Sequence, residues 1–250
     1  VQRASPVTLQ FVRWGLVLSA SLIAIGVGSG NAVYAQRPLV ASEALPPDTA
    51  AFVSIPDLQM LIERFDATEL GALARDPQAE AFFDDLKGQL ELRIAGRLGR
   101  RGLTIEDLKG VRTGEIGYAT LVTEGRPSSI LLVDVVGHEE AVRTLLDRIT
   151  ANLKDQKADE EPAKTMHGAT VRSFLMPPKA GEIRRPRVQF TEHAGWIVIS
   201  SELAGMDQVL RRFVPNSGLP HLGIHPAFVR IVERLSDGRG DDDPQVAWYV

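Results

Sequence analysis

Apolar positions along this chain alternate between two spacings, a run or alternation that suits a strand and a three-to-four-residue recurrence that suits a helix. The stretch Leu45–Leu90 shows both and organises the reading of the rest. Ala50–Ile55 is a short apolar run bounded by Pro46-Pro47 and Pro56, which predicts a buried strand ended by proline. Leu58, Leu61, Ile62 and Phe65 then recur on one helical face. A tight connection leads to Asp76-Pro77, a helix-start pair. Beyond it, Phe82, Phe83, Leu86, Leu90 and Ile94 predict a long second helix. Two helices with facing stripes are expected to pack on each other and on a sheet.

The same reading carries through the chain. Arg97–Gly102 closes the long helix, and Thr104 caps a short turn ending at Gly110. Thr113–Thr123 and Ser129–Val136 predict a hairpin around 124–127, with the more continuously apolar second strand in the sheet's interior. Ala141, Val142, Leu145, Leu146, Ile149 and Leu153 mark a helix packing back on it. The charged run Lys154–Lys164 reads as a helix end and loop, and Ala169–Met176 as a strand. Lys179–Arg187 reads as a basic loop, followed by a hairpin around His193-Ala194-Gly195. Leu203, Met206, Val209, Leu210 and Phe213 predict a helix, Ala227–Leu235 a shorter one, and Gln245–Val250 the start of a strand. These elements predict an α+β fold: an antiparallel or mixed sheet from repeated β-β-α units, with helices packed on one face.

Several residues of the opening stretch form a recurring pattern: Leu45-Pro46, Asp48-Thr49, Pro56-Asp57-Leu58, Thr68, Leu70-Gly71, Leu73, Asp76-Pro77 and Phe82. Written L-P-x-D-T … P-D-L … T-x-L-G-x-L-x-x-D-P, it resembles a bacterial family of exported proteins classed as a domain of unknown function. The resemblance is clearest over 45–120. It implies export and an α+β fold, and no activity or functional residues.

The N-terminus points the same way. Arg3 and Arg13 precede the apolar run Trp14–Val27, and Val33-Tyr34-Ala35 supplies small residues ahead of a cut. That order is a secretory signal peptide. The expected organisation is a signal peptide at 1–35, a short linker at 36–44 and an exported domain at 45–250, truncated at its C-terminus. The alternative is a membrane anchor made by an uncleaved N-terminal segment, since the apolar run approaches spanning length. The chain has no cysteine, so an N-terminal lipid thioether and disulfides are excluded, and the domain must rely on its core.

Composition narrows the chemistry. The net charge is −4 over 250 residues, without the basic stripe that nucleic-acid binding requires. His221 and His225 have zinc-like spacing, but Pro220, Gly223 and Pro226 oppose a helix there and no glutamate lies between them. His138 with Glu139-Glu140 reads as a solvated helix start, and His167 and His193 fall in loops. Ser128-Ser129 and Ser200-Ser201 flank strands as turn and cap residues, without a nucleophile motif. Gly26–Gly30 belongs to the leader. Asp84-Asp85 and Glu160-Glu161 are sequence neighbours that point apart. Asp237–Asp243 contains Arg-Gly-Asp and several carboxylates but not the spacing of a calcium loop. Lys179, Arg184, Arg185 and Arg187 could meet an anionic partner.

No catalytic, cofactor-binding or metal-binding residue is assigned. The leading expectation is an exported, periplasmic or secreted, non-enzymatic envelope binding or structural module with an unidentified envelope or extracellular partner. The alternative is an exported hydrolase whose site is assembled from scattered acids and histidines.

Overall fold

The computed structural model describes residues 39–79, 81–85, 89, 114–178, 185–236 and 247–249. The expected signal peptide, most of the expected helix beyond residue 85, the Thr104 cap, the basic loop at 179–184 and the acidic loop at 237–243 lie outside the described residues. Eight strands form one sheet in the order β4-β5-β6-β7-β3-β2-β1-β8, and every neighbouring pair is antiparallel. The strands are β1 (Ala51–Ile55), β2 (Ile116–Thr123), β3 (Arg126–Asp134), β4 (Asp159–Met166), β5 (Ala169–Leu175), β6 (Arg187–His193), β7 (Trp196–Ser200) and β8 (Ala247–Tyr249). Helices among the described residues include α1 (Ala41–Ala44), α2 (Leu58–Asp66), α3 (Glu69–Ala74), α4 (Glu139–Asp155), α5 (Leu203–Phe213) and α6 (Pro226–Ser236). The α+β class with an antiparallel sheet holds.

The sheet is built at three tight hairpins. Glu124-Gly125, His167-Gly168 and Ala194-Gly195 each place two consecutive residues at positive φ. This is the left-handed pair whose twist matches that of the flanking strands. Glycine meets this demand at the second position without steric cost, whereas Glu124, His167 and Ala194 accept some strain at the first.

Alternation along β3 divides the core. Ile130 and Leu132 point to one face, with Trp196 and Val198 of β7, and pack against Met206, Val209, Leu210 and Phe213 of α5. Leu131 and Val133 point to the other face, with Ile197 and Ile199, and pack against Val142, Leu145, Ile149 and Leu153 of α4. A strand buried on both faces must be apolar at consecutive positions, which is why 130–133 reads as a continuous run.

This layering corrects the expectation of helices on one face. A hairpin followed by a helix does occur twice in chain order, as β2-β3-α4 and β6-β7-α5. Two copies exchanged by a two-fold axis normal to the sheet would put both helices on the same side. Here α4 and α5 lie on opposite sides, so the recurrence is one of chain order and not of packing.

Two further expectations change. Part of the charged run 154–164 is the edge strand β4 rather than a loop. Its acids pair with basic residues on β5, just ahead of β6 and at the start of β6: Glu160 with Arg172, Asp159 with Arg185 and Glu161 with Arg187. Charge is a usual feature of an edge strand because it deters pairing with other chains. A register shift between Glu161 and Lys164 brackets Pro162, where the missing N–H could not serve a regular ladder. Next, the linker expected at 36–44 is part of the domain from Leu39 onward. Ala41, Ala44 and Leu45 are fully buried, and the Glu115 carboxylate accepts from the Ala41 backbone N–H at 2.8 Å and from the Ser54 hydroxyl at 2.5 Å. The strand expected near the C-terminus forms as β8 beside β1, with Phe52 opposite Tyr249.

Candidate interaction surface

The stretch 45–90 divides into a core part and an exposed part. β1 is inside the sheet, but α2 contains no buried residue and α3 buries only Gly71. A side-chain N-cap marks the start of each of these two helices. The Asp57 carboxylate accepts from the Met60 N–H at 2.8 Å, and the Thr68 hydroxyl accepts from the Gly71 N–H at 3.0 Å, each an N-cap satisfying an otherwise orphaned donor. α3 occupies the segment expected to be a tight connection. The helices meet closely at Gly71, where a Cβ would stand 2.2 Å from the Phe65 carbonyl oxygen.

The packing on the sheet expected of α2 is not seen among the described residues, and most of the second helix of that expected pair lies outside them. Leu58 and Leu61 are half-buried, while Met60, Ile62, Phe65, Leu70 and Leu73 are exposed, Leu70 by 54%. Phe82 is 65% exposed and meets Phe83 edge-on at 5.3 Å between ring centres. Isolated exposed apolar side chains are ordinary, but this concentration in a short segment is a feature of surfaces that are covered in use. Periodicity located the stripe; it could not say which side of the stripe would remain in water.

The sequence-derived chemical candidates do not converge. His221 and His225 flank a 3₁₀ turn, Leu222–Ile224. Their Nδ1 atoms are buried without a hydrogen-bond partner, and the His225 ring meets Tyr249 edge-on. Among the described residues, no three His, Cys, Asp or Glu side chains gather closely enough to hold a metal. His138 is the N-cap residue of α4. His167, in the β4–β5 turn, places Nε2 2.8 Å from Asp207 Oδ1, and Arg211 also bonds Asp207. Burial pushes the Asp207 carboxyl upward, but the hydrogen bonds from His167 and Arg211 outweigh it and hold it below its ordinary value. The His193 ring packs on Phe213. Arg185 and Arg187 of the basic cluster are engaged by Asp159 and Glu161, so these two do not offer the free positive patch expected of them.

The serine pairs are brought together by strand pairing across β3 and β7. Ser128 Oγ lies 3.4 Å from Ser200 Oγ, Ser201 Oγ accepts from the Ser129 N–H at 3.0 Å, and the Ser200 hydroxyl donates to the Glu202 carbonyl at 2.7 Å. Beside them, Gln189 stands opposite Ser173 and Ser200 in register. It is 0% exposed and neither amide atom has a hydrogen-bond partner. Sequence reasoning missed this residue because a single glutamine in an alternating strand carries no pattern. A buried, unpaired amide opposes folding. Gln189→Met, similar in length and apolar, is therefore expected to raise stability by about 1 kcal/mol in urea unfolding. A fall of that size would mean that an internal water satisfies the amide.

No helix among the described residues is long and apolar enough to cross a membrane. No protein-family description, curated protein or solved structure matches this chain.

Proposed function

We propose that this protein is an exported, non-enzymatic binding or structural module of the bacterial envelope or exterior, and that it works through its surface. The exposed apolar face of α2 and α3 carries the reading, because α2 contributes no buried residue to the domain's core. The leader-like order of Arg3, Arg13, Trp14–Val27 and Ala35 supports export. The L-P-x-D-T pattern, which resembles that of exported proteins of unknown function, supports the same reading.

The test is intact mass of the chain, expressed with residues 1–35 in a secreting bacterial host and divided into soluble and membrane fractions. The expected species is soluble and begins at Gln36. A full-length species confined to the membrane fraction would overturn the cleaved leader and leave the domain tethered at the membrane.

A further inference from the structure

We propose that the α2–α3 surface docks a cationic amphipathic segment of another polypeptide, an inference that rests on the reading of this protein as a binding module. The surface combines two properties. The first is the exposed apolar set Ile62 and Phe65 on α2 with Leu70 and Leu73 on α3. The second is charge. Asp57–Asp85 contains eight acidic residues and two arginines, a net −6 in a chain whose total is −4. This run of acidic residues thus borders exposed apolar side chains of α2 and α3, and Glu63, Asp66, Glu69, Asp76, Asp84 and Asp85 are all exposed.

That charge selects among occupants. Two copies of the chain meeting through this face would oppose like charges, which costs association free energy. An anionic lipid surface would be repelled for the same reason, since amphipathic segments that lie on such membranes carry lysine or arginine on their polar side. A helix with an apolar stripe bordered by lysine or arginine satisfies both properties at once. Its stripe covers the exposed leucines and phenylalanine, and its cations meet the acidic rim.

The probe is a fluorescein-labelled 18-residue peptide of leucine and lysine, with leucine at helical spacing, titrated with the leader-free domain and followed by anisotropy. Saturable binding is expected, weakening about tenfold or more between 50 and 300 mM salt as the rim charges are screened. Ile62→Ser with Phe65→Ser, and separately Glu63→Lys with Glu69→Lys, should each weaken binding at least about tenfold. Val122→Ser, at an exposed position on β2, should leave it unchanged. All four altered helix positions are exposed, and circular dichroism checks that each variant keeps its fold.

Absence of binding, or equal binding by both double variants, would overturn the proposal. So would adsorption to phosphatidylglycerol vesicles that is lost in the Ile62/Phe65 variant, or dimerisation lost in the same variant. None of these outcomes alters whether a soluble species begins at Gln36, so failure of the docking site is distinguishable from failure of the export reading.

Discussion

Phe190→Ala is expected to destabilise the domain by about 3–5 kcal/mol, the cost of deleting a buried aromatic ring whose site cannot collapse. Phe190 is 1% exposed. Its ring stacks on Phe174 at 5.6 Å between centres and 6° between planes, and the Arg172 guanidinium lies 5.4 Å from both ring centres. Hydrogen bonds from Arg172 to Glu160, at 2.7 and 3.2 Å, hold that cation in place over the rings. Truncation removes ring contacts and half of the aromatic platform under a positive charge. Phe190→Leu fills most of the volume and should cost about 1–2 kcal/mol. Phe82→Ala removes the same ring from a 65% exposed position and should cost less than about 0.5 kcal/mol. Urea unfolding of the three variants measures the series. A Phe190→Ala loss no larger than that of Phe82→Ala would contradict the two-faced core.

Gly205→Ala should destabilise by about 2 kcal/mol, although alanine is the better helix former. Gly205 lies in the first turn of α5 and is buried where the helix crosses β3. A Cβ there would stand 2.2 Å from Ser128 Oγ, 3.0 Å from Ser128 Cβ and 3.2 Å from Ile130 Cδ1. Ser128 is itself fully buried, so its hydroxyl has little room to turn aside. α5 must lift from the sheet, loosening Met206, Val209 and Leu210 behind it. Adding Ser128→Ala removes the nearest atom and should restore about 1 kcal/mol, a coupling expected only of residues in contact. Strictly additive losses in the double-mutant cycle would mean that α5 does not cross β3 at this point.

Most elements were legible from pattern. β1, β3, β5, the hairpin at 194–195 and helices α4 and α5 follow apolar spacing, because each buries a face whose period matches its geometry. The N-caps Asp57 and Thr68 act on amides three residues on, but α3 lies in a segment expected to be a tight connection. β4 was missed because charge in a strand is favourable only at a sheet edge with partners opposite, and Arg172, Arg185 and Arg187 lie 12 or more residues away. The interaction surface was half legible. The stripe 58–65 and the acidic residues around it are present in the sequence, but a stripe alone is read as core.

Length, apolar content and local spacing by themselves determined that this chain forms an α+β domain, where most of its strands and helices begin and end, and that it needs no disulfide. Only the tertiary structure decided that α4 and α5 take opposite faces of the sheet, that residues 39–45 belong to the core, and that α2 and α3 keep apolar side chains in water. The physical reason is range. Turns, caps and periodicity are settled among residues a few positions apart, whereas burial depends on which distant segment arrives to cover a face.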